Sequence, residues 1–389
     1  MRAFVGIFII ALANGCETDE DCGLLGDCVS SVCICAPGWA GTTCATLALA
    51  PSPPNSGLRQ TNSSNWCGTI LRDLSDPSLY HMLNADFGGC RDGLGIWLEG
   101  SRIIRSTSHG SPVGPYTPVW STGDAEVVVA AEAHNPQAIV APDGEHLLFD
   151  SYGGPDASCP LEANYTSCHA LPNGGMCHPK MSHGGAGPGW MVFHAASSPT
   201  GPWHPVNVSM DYPCFSDNLT PSPSFHPNGT LFLVFHCDSD GSHSSMGDLV
   251  MVRADTYRGP FTRVNDKIWS VAGVGPHPEA PFFFIHTSPR TGKISFHVIL
   301  HNRPRGIHLF SQDGLTMKLQ QELLGTEPQA PFVYNETIVQ SDGSQFTADR
   351  RERPWLLFAP HTASRPEVLV TSMQSSVWPQ VFTHAQGVL

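Results

Sequence analysis

The chain is short of charge, and of positive charge above all. Asp, Glu, Lys and Arg make up 14% of its 389 residues, with 20 basic against 34 acidic side chains and a net charge of −14. A surface with so few cations cannot neutralise a row of phosphates, which argues against nucleic acid and anionic membranes as partners. Beyond the first dozen residues no stretch reaches the ~18 uninterrupted apolar residues of a membrane-crossing helix. The end of the chain, Val381 to Leu389, is too short and polar for a lipid-anchor signal. With 38 Gly and 34 Pro, long helices are disfavoured and many short strands joined by tight turns are expected.

Cysteine, in contrast, is plentiful. Six of the 13 fall at positions 16, 22, 28, 33, 35 and 44. A module this small cannot bury enough apolar surface to hold itself together without covalent staples. A zinc site is the other use for clustered cysteines, but six are odd for one tetrahedral ion. Spacing alone leaves fifteen pairings open. The run Cys33-Ile-Cys35-Ala-Pro-Gly-Trp-Ala-Gly-Thr-Thr-Cys44 resembles the end of an EGF-like domain. That resemblance implies the bridges Cys16–Cys28, Cys22–Cys33 and Cys35–Cys44. The seven remaining cysteines, at 67, 90, 159, 168, 177, 214 and 237, are odd in number. At least one must therefore keep its thiol or pair between chains.

The stretch ahead of the module suggests the compartment. Met1-Arg2 is followed by a short apolar run, and Ala11-Leu12-Ala13 offers small residues for cleavage. Residues 1–13 are accordingly expected to be a signal peptide, and the protein to be secreted or extracellular. Asn-x-Ser/Thr sequons at Asn62, Asn164, Asn207, Asn218, Asn228 and Asn335 agree with glycosylation on that route. Residues 14–45 form the EGF-like module, with an extracellular protein as its possible partner. Residues 46–64, dense in Pro, Ser and Asn, read as a tether without periodicity.

Residues 65–389 repeat themselves loosely. A Pro-containing start, an Asp-Gly or Asn-Gly turn and an apolar strand recur in Asn135–Phe149 and Pro221–Phe235. Pro278–Ile285 begins a third copy, with a turn at Gly292. Gly114-Pro-Tyr116, Gly201-Pro-Trp203 and Gly259-Pro-Phe261 close these segments. Starts at Trp66, Asn135, Pro221, Pro278 and Arg351 predict five blades of a β-propeller. A β-sandwich would not ask for five similar hairpins. The fold class expected is thus mainly β, a small disulfide-rich EGF-like module plus a five-bladed β-propeller. Asp156 to Gly189, rich in Gly and Cys, reads as a long loop inserted in blade 2 that shapes the rim of the pocket.

These units are similar to the propellers of glycoside hydrolase families 43 and 32, with an affinity to an uncharacterised microbial and protist subgroup. The resemblance implies a central channel that binds a carbohydrate or glycoprotein sugar. It also implies an acid at a Glu shortly before Pro, which Glu279 matches, and an orienting carboxylate, which Asp217 matches. The family's base is an Asp directly before Pro, where this chain has Asn135-Pro136. An amide has no useful proton affinity near pH 7, so Glu352 is the candidate base.

His134, Asn135, Asn218, His277, His301, Arg351 and Arg353 are the expected sugar-binding groups, because first strands of blades converge on the channel. His134, His277 and His301 are also candidates for a central cation, although no cofactor or metal is called for. Glu279 has a plain alternative role, as a channel carboxylate neutralised by Arg351 or Arg353. Two functions stay open: a secreted glycosidase, or a carbohydrate-binding or adhesion protein with a degenerate site. A purely structural role fits so polar a set of strand starts poorly.

Overall fold

The computed structural model describes residues 15–389 except 62, 88–100, 122–123, 130–132, 153–189, 212–219, 238–247, 265–278, 303–304, 321, 325–326, 330, 361–363 and 376–377. The expected signal peptide and the blade 2 insertion lie outside the described residues. So do the sequons at Asn62, Asn164 and Asn218. Asn207, Asn228 and Asn335 are exposed. No helix among the described residues is long and apolar enough to cross a membrane.

Five antiparallel sheets form a ring. Blade 1 holds Asn65–Arg72, Leu79–Asp86, Arg102–His109 and Thr117–Pro118, with Val127–Val129 added beside its third strand. Blade 2 runs through Ala133–Val140, His146–Tyr152, Trp190–Ala196 and His204–Ser209. Blade 3 runs through Ser222–Phe225, Leu231–Cys237, Asp248–Ala254 and Thr262–Arg263. Blade 4 is Glu279–Thr287, Ile294–Asn302, Arg305–Ser311 and Lys318–Leu319, and blade 5 is Arg350–Phe358, Pro366–Ser375 and Trp378–Gly387. The first strands touch in sequence around the axis, and that of blade 5 returns to that of blade 1. This is a five-bladed β-propeller, with each inner strand beginning within two residues of the start expected from sequence.

Apolar cores fill the seams between blades. Phe149 and Phe193 of blade 2 pack with Leu231, Leu233 and Phe235 of blade 3. Val234 and Met251 of blade 3 meet Phe283, Val298 and Leu309 of blade 4. Polar stitches cross the same seams: Ser222 Oγ accepts from the Phe283 amide at 2.7 Å and donates to Gln137 Oε1 at 2.8 Å. In the three closing Gly-Pro units the glycine φ is 92°, 80° and 76°, a region that suits glycine, and the bond to proline is cis.

The N-terminal module carries the bridges Cys16–Cys28, Cys22–Cys33 and Cys35–Cys44. It shares a core with the propeller. Trp39 stacks on Phe284 of blade 4 with centroids 6.2 Å apart, and Leu25, Cys22 and Cys44 are fully buried in the same cluster. A hydrogen-bond chain crosses the junction. Ser295 Oγ, His297, His308 and Gln320 are linked at 2.7, 2.9 and 2.5 Å, and Gln320 Nε2 donates to the Thr43 carbonyl at 2.5 Å. Since Gln320 donates from its nitrogen, its oxygen must accept from His308 Nδ1. His308 Nε2 then accepts from His297 Nδ1, and His297 Nε2 accepts from Ser295. Both imidazoles are neutral in this chain, and neither has a place for a second proton.

The segment 46–64, expected to be a tether, is a clasp. Its residues lie along the last strand of blade 5: the Ala50 amide donates to the Gly387 carbonyl at 2.9 Å, and the Leu58 amide to the Thr383 carbonyl at 2.9 Å. Ser52, Ser56 and Leu58 are fully buried, and both serines bond the ring of His384. Proline-rich composition hid this. A sheet edge needs only occasional backbone partners, which prolines can flank. Blade 5 has three strands of its own, so residues from before blade 1 cover its open edge and close the ring.

Candidate functional site

One residue near the start of each inner strand has left-handed backbone: Cys67, Asn135, Thr220, Ala280 and Arg353, with φ of 55°, 53°, 38°, 49° and 56°. None is glycine, so each holds ~1–3 kcal/mol of strain that the ring must stabilise. In four blades the position coincides with a register shift against the second strand, a β-bulge. The next residue is Pro in four cases and Gly68 in the fifth. Proline has no amide hydrogen to give to a ladder, and a bulge is where a sheet tolerates that. The five residues converge on the axis and line one hole of about 20 Å³. The recurring x-Pro ahead of an apolar strand was visible in the sequence, and it would have marked Thr220 and Ala280 as members of the ring.

The ring itself carries no carboxylate. Cys67, which belongs to no disulfide, donates its thiol proton to Asn135 Oδ1 at 2.7 Å. The Cys67 amide is held by Ser372 Oγ of blade 5 at 2.6 Å. The carboxylates stand one residue earlier, in Glu279-Ala280-Pro281 of blade 4 and Glu352-Arg353-Pro354 of blade 5. Glu352 is buried, with its oxygens 3.9 Å from His301 Nε2 and 3.7 Å from Arg350 Nη1. Glu279 stands opposite His301 in the ladder of blade 4; its side chain lies outside the described residues. His301 thus neighbours one Glu through the backbone register and the other through its ring.

The remaining expected residues divide. His134 is buried against the ring of Phe87, centroids 5.7 Å apart. Burial, helped by the charge of Arg353, holds its pKa well below the ordinary value, so it is neutral at pH 7. Arg353 lines the hole. Asp217, Asn218 and His277 lie outside the described residues; the ring position of blade 3 is Thr220.

Arg351 does not serve the channel. It is fully buried and donates to the Asn335 carbonyl, Gln386 Oε1 and Thr371 Oγ1 at 2.8, 2.9 and 3.3 Å. Its guanidinium lies 4.9 Å from the centre of the Tyr334 ring. Strand alternation sends residue 351 to the face opposite 350 and 352. The apolar run that follows has no alternation from which to read that face. Among the described residues, the grouping able to share a metal ion is Cys16, Cys22 and Cys33, all engaged in disulfides. His134 and His301 fall in no such grouping.

No protein-family model matches the chain, and no curated protein matches it. Solved structures do. A protein of unknown function from Dyadobacter fermentans is 10% identical with a TM-score of 0.52, over 88% of this chain and 100% of that one. A glycoside hydrolase family 43 β-xylosidase/α-arabinofuranosidase from a compost metagenome is 10% identical, TM-score 0.48, over 87% and 95% of the two chains. An exo-β-1,3-galactanase from Phanerochaete chrysosporium is 11% identical, TM-score 0.46, over 88% of this chain, which spans 66% of that enzyme. At such identities, the likeness to the Dyadobacter protein speaks for the fold alone.

Proposed function

We propose that the chain is a secreted protein whose channel binds a carbohydrate and cleaves a glycosidic bond, with Glu279 as acid and Glu352 as base. One observation carries this reading. Two Glu-x-Pro glutamates occupy the same step of consecutive blades: Glu279 stands opposite His301 in the ladder of blade 4, and the carboxylate of Glu352 lies 3.9 Å from the His301 ring. Glycoside cleavage needs such a pair: one carboxyl protonates the leaving oxygen while the other activates water or attacks carbon. Asn135 cannot take the second role, and Glu352, buried beside a histidine, is placed for it. The N-terminal module, with three bridges in the order found in EGF-like domains, is proposed to be one. Its docked position makes it part of the enzyme body.

The test is a screen of the purified protein on aryl glycosides and glycans, alongside Glu279→Gln. Gln keeps shape and hydrogen-bonding reach but has no proton to give. Hydrolysis should fall about 10²–10⁴-fold while sugar affinity holds. Equal hydrolysis by the variant refutes the assignment. A second reading, sugar binding without cleavage, is favoured by the amide of Asn135 and the hydroxyl of Thr220 in the ring. Sugar binding with no hydrolysis on any substrate would select it.

A further inference from the structure

A second cavity opens where the N-terminal module meets blade 4. Its volume is about 140 Å³, a size that holds a single six-membered ring. Leu24, Ile34, Ala36 and Pro37 of the module and Pro289 of blade 4 supply apolar walls. One buried polar ring joins them. His286, near the end of the inner strand of blade 4, lines the cavity and is 1% exposed. Its Nδ1 bonds nothing among the described residues, and burial alone holds its pKa at about 4. The imidazole is therefore neutral at pH 7, with one N–H to give and one bare nitrogen to accept. Buried polar groups are nearly always hydrogen-bonded, so a histidine left this way in an apolar cavity points to a ligand that brings a hydroxyl. A sugar fits poorly, because the lining offers no Phe, Tyr or Trp face among the described residues and a sugar ring carries many hydroxyls.

The apolar character continues outside the cavity. Asp27 stands opposite Ile34, and Val29 opposite Val32, in the hairpin of the module. Side chains two apart on a strand share a face, so Val29, Val32 and Ile34 form one stripe that runs out from the cavity wall. Val32 and Ile34 are 58% and 51% exposed. The charges at the rim are unequal in their engagements. Asp27 Oδ1 accepts from Ser288 Oγ at 3.2 Å, and nearby Asp19 accepts from Lys293 Nζ at 2.9 Å. Arg290 lines the cavity, is exposed, and its guanidinium has no ion pair among the described residues. We propose that this junction is a docking site for another protein, which inserts one tyrosine ring into the cavity with its hydroxyl on His286, sets an acidic neighbour against Arg290 and covers Val32 and Ile34. A free phenol would leave the stripe in water, whereas a chain that carries the ring covers it. Aromatic anchors seated in pockets beside exposed apolar surface are the usual centre of a protein interface. The inference is independent of the chemistry in the channel.

NMR titrations of the full chain, following the His286 ring signals and those of the ligand, would compare p-cresol, the tyrosine side chain alone, with toluene. The blocked tripeptides Asp-Tyr-Asp and Lys-Tyr-Lys would be compared in the same way. p-Cresol should bind about two- to tenfold more tightly than toluene, the worth of one neutral hydrogen bond, and His286→Leu should remove the difference. Asp-Tyr-Asp should bind more tightly than p-cresol and several-fold more tightly than Lys-Tyr-Lys. Val32→Ser and Arg290→Ser, both at exposed positions, should weaken the acidic peptide while changing p-cresol little. The ligand comparisons use the native protein, so they stand even if His286→Leu fails to fold. Equal binding of toluene and p-cresol would overturn the role of His286 and the tyrosine with it. An acidic peptide no tighter than p-cresol would leave a small-phenol site and overturn the protein partner. Equal binding of the two peptides would overturn the acidic neighbour, and His286 signals unmoved by every probe would overturn the site itself.

Discussion

Acidification should loosen the junction between the N-terminal module and blade 4. Burial holds His308 down from 6.5 to about 4, against a weaker upward pull from its bond to Gln320. His286, at the edge of the same junction, is likewise held to about 4 by burial, and burial holds His297 well below its ordinary value. A folded-state pKa below the unfolded one means that the unfolded chain takes up the proton first. The contribution is complete above pH 6.5 and is lost as pH falls toward 4. For His308, the gap between 6.5 and about 4, at 1.36 kcal/mol per pH unit, is about 3 kcal/mol. That is a large share of a typical stability of about 5–15 kcal/mol.

Carboxylates held low, such as Asp73 and Asp19, weaken only as pH falls below 3.8, so the windows separate. Asp150, held up by burial, works in the opposite sense and offsets part of the loss. Urea titrations at pH 7, 6, 5 and 4.5 would measure the slope, with Trp39 fluorescence reporting on the junction, since its ring centroid lies 6.0 Å from that of His308. His308→Gln can still accept from His297 and donate to Gln320, and it should flatten the curve. Stability unchanged from pH 7 to 4.5, or an equal slope in His308→Gln, would refute the reasoning.

Leu58→Ala should destabilise the propeller by about 2–5 kcal/mol, because Leu58 is fully buried in the clasp; chemical denaturation reads this directly, and a loose tether would give almost no change. Arg351→Ala should lower the melting temperature steeply by leaving its buried acceptors unsatisfied, while folded protein at low temperature keeps its sugar affinity.

Much of the architecture was written in local pattern. Hairpin turns with Gly and the apolar strands after them announced five blades, and the Cys spacing announced the module. What stayed hidden was non-local. Segment 46–64 has no periodicity of its own, since the strand it covers is more than 300 residues away. Arg351 and Glu352 differ in role because adjacent strand residues face opposite ways, and the bulge between Glu352 and Trp355 breaks the count back from the apolar run. Left-handed backbone at Arg353 or Thr220 follows from closing a ring of inner strands, and no residue preference forecasts it. Glu279 and Glu352 were each found as acidic strand starts. Their equivalence in adjacent blades, with His301 opposite Glu279 in the ladder and its ring beside Glu352, came only with the folded chain.

The measurement that bears most directly on the two-carboxylate site is the hydrolysis rate of Glu352→Gln on the best substrate, with sugar affinity measured in parallel. If Glu352 replaces the base that Asn135 cannot provide, the rate falls about 10²–10⁴-fold and affinity stays near that of the native protein. A native rate in Glu352→Gln would contradict the account.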